Sequence, residues 1–123
     1  MTTTEDEATY SSLDVPTVRD LPPVEIERVE DSGAFRAAGS VVIRARWNMR
    51  VEIGFAGVTR DSIVMASITE LFPNPDGSGI NLPGIGAAHM YIRAVAPQKD
   101  KVFVSGYIDW DRDLTVRISL FVA

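Results

Sequence analysis

The stretch LTVRISLFV, residues Leu114–Val122, decides the class of the fold. Apolar residues occupy every second position of this stretch: Leu114, Val116, Ile118, Leu120 and Val122. Because side chains alternate between the two faces of a strand, the pattern predicts a β-strand with one buried face and one mostly hydrated face. An unpaired edge of such an apolar strand would invite aggregation, so we expect the preceding segments to supply its hydrogen-bonding partners.

Six further segments upstream have strand-like composition or alternation, and turn signals separate them. They span residues 24–30, 35–47, 50–55, 62–71, 88–95 and 101–108. We expect the second of these to break near Gly39, and Asn48 to mark a short turn. About seven strands at this spacing, without a convincing helix, predict an all-β, antiparallel sandwich or jelly-roll-like domain. The hairpin 101–122 is expected to be its most secure unit.

The longest predicted loop spans residues 72–87, which contain seven glycines and prolines in sixteen positions. Such a density of breakers argues against regular structure, and a long loop in a compact domain is often functional. Its glycines match no phosphate-binding motif. The loop is therefore either a connection or a contact surface presented to a neighbour or receptor.

The charge of the chain is divided unevenly between its two ends. Residues 1–31 contain nine acids and two bases, whereas residues 32–123 contain eight acids and ten bases. Residues 1–23 also have three prolines and little periodic apolar content, which predicts an acidic N-terminal arm before a β domain of residues 24–123. The arm can lie against a basic face of its own domain or of a neighbouring copy, or it can be a solvated tail that aids solubility.

Composition argues against several classes of function. The net charge of −5 disfavours nucleic-acid partners, whose binding depends on basic surface meeting phosphate. The chain has no cysteine and hence no disulfide or thiolate chemistry, in agreement with synthesis in the cytoplasm. Its start, MTTTEDEATY, lacks the basic and apolar regions of a secretory signal. Its longest uncharged run, 77–92, is too short and too polar to span a bilayer, so we expect no membrane partner.

Asp109, Asp111 and Asp113 are the candidate metal ligands. Carboxylates at alternate positions resemble the opening of a calcium loop. The sixth position of that loop would be Leu114 instead of glycine, and the twelfth would be Leu120 instead of glutamate. Acids in a turn also bond to local backbone groups, so a tight turn is the favoured interpretation and a metal site the weaker one.

His89 is the single histidine, and no set of nucleophile, base and orienting group can be assembled around it. A zinc site would need more nitrogen or sulfur ligands than the chain offers. We therefore expect a protein that is not an enzyme and uses no cofactor, with His89 in a structural or interfacial role.

Five arginines fall on the predicted outer faces of strands: Arg44, Arg46, Arg50, Arg93 and Arg117. They can be solvated, or they can pair across strands with Glu52 or Asp61. Alternatively, they form a basic sheet face that receives the acidic arm of an adjacent subunit, because guanidinium groups pair carboxylates bidentately. Tyr10 and Leu13 would then anchor that arm.

Trp47, Trp110 and Tyr107 are candidates for a surface that stacks on sugar rings. They do not cluster in the sequence, and core or interface packing is the favoured interpretation, since aromatic side chains dominate both. Trp110, in the turn before the last strand, is the aromatic residue that we expect to contact a partner.

Four segments from residue 57 onward carry a resemblance: GVTRDSIVMASITE, IRAVAP, KVFVSGYI and LTVRISLFVA. Their order resembles the C-terminal β-domains of phage and phage-like virion proteins, namely tail-fibre, head-fibre and head-decoration modules. The resemblance covers residues 57–123 and implies a non-enzymatic, commonly trimeric module on a particle surface, with capsid or tail proteins as partners. H-type lectin-like sandwiches are a second likeness, and no sugar-binding signature accompanies it.

The sequence therefore predicts a structural protein of a virion surface. It is expected to form a homo-oligomer, with a trimer favoured, by docking its arm on a neighbouring copy. The alternative is a β-sandwich that binds carbohydrate or a receptor through residues 72–87.

Overall fold

The computed structural model describes residues 18–26 and 37–123, which form strands and no helix. In chain order the strands are β1 (Arg19–Asp20), β2 (Val24–Glu25), β3 (Ala37–Ala45), β4 (Trp47–Gly54), β5 (Val64–Pro73), β6 (Ile80–Gly84), β7 (His89–Gln98), β8 (Lys101–Asp109) and β9 (Leu114–Val122). The predicted all-β class is confirmed, and the last strand has the bounds that its alternation predicts.

The strands form two sheets that pack face to face, as predicted for a β-sandwich. The first sheet has the order β3–β9–β5–β6, and every neighbouring pair in it is antiparallel. The second sheet has the order β1–β4–β8–β7, and β2 pairs with β4 further along the same edge. The short strands β1 and β2 run parallel to β4, whereas β4, β8 and β7 are antiparallel.

Strand β9 lies in the middle of the first sheet, hydrogen-bonded to β3 on one side and β5 on the other. Its inward residues Val116, Ile118 and Leu120 are completely buried. They meet the inward residues of β4 and β8, so both sheets contribute to one apolar core. Burial of each such aliphatic side chain stabilises the fold by roughly 1.5–3 kcal/mol. The predicted need of β9 for partners is confirmed on both of its edges.

The predicted hairpin 101–122 is wrong. Strand β8 belongs to the second sheet and β9 to the first, so residues 110–113 carry the chain across the core instead of closing a hairpin. Strands β8 and β9 each bury one face. The same positions would be buried if the two strands were hydrogen-bonded neighbours in one sheet or if they faced each other across the core. Alternation in the sequence reports the burial and leaves the pairing open.

The predicted break near Gly39 and the predicted turn at Asn48 are also wrong. Strand β3 runs through Gly39 without interruption, and Asn48 is buried within β4. The chain bends at Arg46 and Trp47, where it passes from the first sheet to the second. Trp47 has a φ of 58°, in the left-handed region that a bulky residue seldom adopts. A tryptophan gives no sequence signal for such a bend.

Residues 72–87, predicted to be a loop, are largely a hairpin. Strand β5 extends to Pro73, and β6 pairs with its last residues. The amide of Asn74 donates to the carbonyl of Gly79 at 2.7 Å, and glycines at positive φ close the turn. The proline within β6 is tolerated because β6 is the edge strand of its sheet.

Two other predicted elements end at different residues. The predicted strand 24–30 begins as β2, and residues 27–30 lie outside the described residues. The predicted strand 88–95 extends further as β7, which continues to Gln98, so the turn before β8 consists of Lys99 and Asp100. Asp100 occupies the left-handed region with a φ of 60°, at the second position of the two-residue turn between Gln98 and Lys101.

Candidate functional site: two outer sheet faces

The aspartates of the turn before β9 are engaged with arginines. Asp113 Oδ1 lies 3.3 Å from Arg19 Nη1 and 3.8 Å from Arg46 Nε. Arg46 Nη1 also donates to the backbone carbonyl of Asp111 at 2.9 Å. Within residues 18–26 and 37–123, no group of three or more His, Asp or Glu side chains is placed to hold a metal ion. Asp109, Asp111 and Asp113 are therefore not grouped around one point as their spacing alone would allow.

The five arginines are divided between the two sheets and do not form a single basic face. Arg44 and Arg117 lie on the outer face of the first sheet, and Arg46 lies at the bend between the sheets. On the second sheet, Arg50 pairs with Asp20 and not with the predicted partners Glu52 or Asp61. Tyr10 and Leu13 lie outside the described residues.

The outer face of the first sheet is apolar at positions where a hydrated sheet is normally polar. We call "apolar face" the group Ala38, Val42, Met65 and Phe121 with the serines and threonines between them. Val42 is 54% exposed and Met65 is 50% exposed. In the register of the sheet, Phe121 lies between Ala38 and Met65. Ala38 and Phe121 are half-buried, so Val42 and Met65 are the exposed apolar side chains of this face, and exposed apolar groups that are contiguous are typical of interaction sites.

The apolar face carries positive charge only. Arg117 of β9 lies between Val42 and Thr69, and Arg44 lies beside Thr115 on the edge strand. The outward positions of β3, β9 and of β5 up to Thr69 include these two arginines and no acid. An acidic segment with apolar anchors therefore has the complementary chemistry.

The outer face of the second sheet has a groove of about 620 Å³. Phe103 and Ser105 of β8 form its floor, and Ala94 and Ala96 of β7 form one side. The other side consists of β4 and the segment 20–23, which lies along the edge of β4. We call this cavity the "second-sheet groove".

Charged side chains in and beside the second-sheet groove occur in opposite pairs. Arg50 Nε donates to Asp20 Oδ1 at 2.7 Å, and Arg50 Nη2 donates to Asp20 Oδ2 at 3.1 Å. This bidentate bond holds the pKa of Asp20 below its ordinary value and raises the pKa of Arg50. Lys101 Nζ lies 4.0 Å from Glu52 Oε1 and 5.6 Å from the centre of the Phe103 ring.

A β-bulge shapes the end of the second sheet next to the groove. Ile92 pairs with Gly106 and Ala94 pairs with Ser105, so Arg93 is the extra residue. Its Nη2 donates to Asn48 Oδ1 at 2.6 Å, across β8. Gly106 is required there, because a Cβ atom would lie 2.8 Å from the Tyr91 carbonyl oxygen.

Two tyrosines stand beside this bulge. The rings of Tyr91 and Tyr107 have their centres 5.7 Å apart and are tilted by 38°. Burial raises the pKa of the Tyr107 hydroxyl, and the Asp109 carboxylate beside it acts in the same direction. The pair extends the aromatic surface of the second sheet beyond the groove.

The aromatic platform considered from the sequence does not form. Trp110 packs against the core, Trp47 lies at the bend between the sheets, and Tyr107 pairs with Tyr91. His89 is exposed at the start of β7 and, with Glu70, lines a second cavity of about 450 Å³.

Sequence reasoning placed Arg50 and Glu52 on outer strand faces but missed Asp20, Phe103 and Ser105 as residues of the second-sheet groove. Phe103, Ser105 and Tyr107 alternate on the outward side of β8, and that alternation of aromatic and hydroxyl groups was the available signal. Asp20 gave none, because its partner Arg50 is 30 residues away in the chain.

Comparisons with family models, with curated proteins and with solved structures found no match for the chain. In the described part of the chain, no helix has the length and apolar content needed to cross a membrane.

Proposed function

We propose that the chain is a non-enzymatic structural protein of a virion or similar particle surface, and that it assembles as a homo-oligomer. In this proposal the acidic N-terminal residues of one copy dock on the apolar face of a neighbouring copy. The observation that carries it is the exposure of Val42 and Met65 on a sheet face whose outward charges on β3, β9 and β5 up to Thr69 are Arg44 and Arg117, without an acid.

The charge and length of residues 1–17 support this occupant. These residues contain four acids and no base, and they include Tyr10, Leu13 and Val15 as apolar side chains. Seventeen extended residues can span at most about 56–61 Å, enough to reach a neighbouring copy. The charges would pair with the two arginines, and the apolar side chains would cover the exposed ones.

The second-sheet edge offers a described example of the same chemistry. Asp20, from the acidic part of the chain, holds Arg50 bidentately while β1 pairs with β4. The acidic segment is therefore able to dock on a strand edge of this domain through a carboxylate and an arginine.

The particle-surface context rests on the resemblance to phage and phage-like virion modules. That resemblance favours a trimer, and it makes capsid or tail proteins the expected further partners. The alternative of a receptor-binding module through residues 72–87 has support from the exposure of Ile80, Leu82 and Ile85 on that hairpin.

The test is molar mass by size-exclusion chromatography with light scattering. We expect the full chain to be a defined oligomer, and a variant beginning at Val18 to associate at least tenfold more weakly. Met65→Glu should weaken association to a similar degree, because it adds negative charge to the apolar face. Ile85→Glu is the control: it adds the same charge at an even more exposed apolar residue, next to β6 and away from the apolar face, and should leave the oligomer intact.

Two results would overturn the proposal. One is a monomeric full chain across the micromolar range. The other is an oligomer that neither the Val18 start nor Met65→Glu weakens. A variant without residues 1–17 keeps the residues of every described strand. Unchanged amide dispersion in that variant would show that a lower mass reports weaker association and not loss of the fold.

A further inference from the structure

We propose that the second-sheet groove binds a short, neutral glycan segment. This site lies on the opposite outer face from the apolar face and is independent of the proposed assembly. It also lies away from residues 72–87, which the sequence offers as the alternative site for carbohydrate or a receptor. The size of the groove, the balance of its charges and the polar groups that its own contacts leave open all favour such a ligand.

The groove has the dimensions of a small-ligand site. Its volume of about 620 Å³ falls within the range of roughly 300–1,000 Å³ found for such sites. Its floor is a sheet face with Phe103 at its centre, and the residues on the β7 side are alanines. A planar ring can therefore approach the phenyl group without meeting a bulky side chain from β7.

The charges in and beside the groove cancel. Asp20 with Arg50 and Glu52 with Lys101 make two opposite pairs, which leave no net charge for an ionic ligand to neutralise. A phosphate, a sulfated chain or a cation would have to break one of these pairs. A ligand rich in hydroxyl groups would not, since hydroxyls both donate and accept hydrogen bonds.

Several polar groups around Phe103 have unused hydrogen-bonding capacity within the described residues. Arg50 directs Nε and Nη2 to Asp20, which leaves the two protons of Nη1 as open donors. The Glu52 carboxylate is 4.0 Å from Lys101, beyond hydrogen-bond distance, and it remains an acceptor. The Ser105 hydroxyl, between Arg50 and Ala94 in the sheet register, can act in either direction.

This set matches neighbouring hydroxyls on a sugar ring. One hydroxyl can accept from Arg50 Nη1 while the next donates to Glu52, and the apolar C–H face of the ring lies over Phe103. A peptide is a poorer match, because the groove floor is a sheet face whose backbone groups are already paired. Strand addition, the usual source of peptide affinity on a sheet, needs a free edge.

The experiment is an amide NMR titration of the full chain with chitotriose, cellotriose and maltotriose as neutral probes and trigalacturonate as a charged one. We expect at least one neutral probe to shift the amides of Ala94, Ala96, Phe103 and Ser105. Glu52→Gln and Phe103→Leu should each weaken that binding at least tenfold. Phe103→Leu keeps an apolar side chain on β8, so its unchanged amide dispersion separates lost binding from lost folding.

Met65→Ala, on the apolar face, is the matched control and should bind the sugar with unchanged affinity. The proposal fails if none of the neutral probes shifts groove amides at about 10 mM, a concentration about tenfold above a Kd of 1 mM. It also fails if trigalacturonate binds more tightly than every neutral probe, or if Glu52→Gln leaves affinity unchanged. Two results without sugar would also overturn it. Shifts of groove amides on dilution would assign the groove to a second copy of the chain, and shifts on removal of residues 1–17 would assign it to the N-terminal residues.

Discussion

Arg117 on the first sheet has Val42 and Thr69 as its cross-strand neighbours, whereas Arg50 on the second sheet has Ser105 beside it and Asp20 as a bidentate partner. Both arginines point outward from strands that bury their other face in the same core. The first leaves its charge uncompensated within the described residues, and the second is neutralised. The two sheets thus share an interior and differ in how the charges on their outer faces are paired.

The comparison shows that strand register, more than strand composition, decides whether an outward-facing charged side chain has a partner of opposite charge. The first sheet surrounds its two arginines with small and apolar groups, so it is suited to an acidic, apolar protein segment. The second sheet groups its charges with opposite charges around an aromatic ring, so it is suited to a neutral polar ligand. Three substitutions test this comparison. The first acts on the core that both sheets share, the second on the second sheet alone, and the third on a single ion pair.

The largest expected effect is that of Ile118→Ala, which should destabilise both faces together. Ile118 is completely buried at the centre of β9, between Val41 and Ile68. Loss of its side-chain carbons should reduce the free energy of unfolding by about 2–5 kcal/mol, measured by urea denaturation. Ser119→Ala, the next residue and outward-facing, should change it by less than about 0.5 kcal/mol. Equal effects of the two would show that β9 is not central to the core.

An intermediate effect is expected from Gly106→Ala, which should act on the second sheet alone. The added Cβ would lie 2.8 Å from the Tyr91 carbonyl oxygen and 3.0 Å from Met49 Cε. The bulge would have to shift, at a cost of about 1–3 kcal/mol in the free energy of unfolding. Amide shifts should concentrate in β7 and β8, while self-association stays as in the parent. A Gly106→Ala chain as stable as Ser105→Ala would contradict the bulge geometry.

The smallest effect concerns the Asp20–Arg50 pair and depends on pH. The pKa of Asp20 is below its ordinary value, so the pair stabilises the docked segment at neutral pH, and this contribution is lost as pH falls through that lowered pKa. The Arg50 Hε resonance should therefore titrate with a midpoint below about 3.9, the ordinary aspartate value. In Asp20→Asn the titration should disappear, and the Leu21 amide, which donates to the Arg50 carbonyl at 2.8 Å, should exchange faster. A midpoint at or above the ordinary value would show that the pair does not hold in solution.

Much of the fold could be predicted because alternation reports burial directly. The bounds of β9, its buried positions and the outward direction of Arg44 and Arg50 all follow from the period of two along a strand. The bend at Trp47 could not be predicted, because a left-handed tryptophan is held by the surrounding structure and not by local preference. Strand β6 was missed because glycine and proline mark turns and edge strands alike.

The candidate site was less accessible to sequence reasoning than the fold. Outward positions have no periodic signal beyond polarity, and a groove exists only after the register places residues of three strands side by side. Ser105 stands next to both Arg50 and Ala94 because of two independent strand pairings. Neither pairing can be inferred from alternation, since a shift by two residues would preserve every buried face.

The central position of β9 has a consequence for synthesis on the ribosome. Its partners β3 and β5 are made first, and each must wait with an unpaired edge until the strand between them emerges. By contrast, β4, β7 and β8 of the second sheet are complete before β9 is translated. The second sheet can therefore form early, whereas the first closes only at the end, through contacts between residues such as Val41 and Ile118 that are far apart in the chain. The nascent chain is most exposed to aggregation in that interval, and any event that cuts translation short before β9 leaves two open apolar edges in place of a sheet.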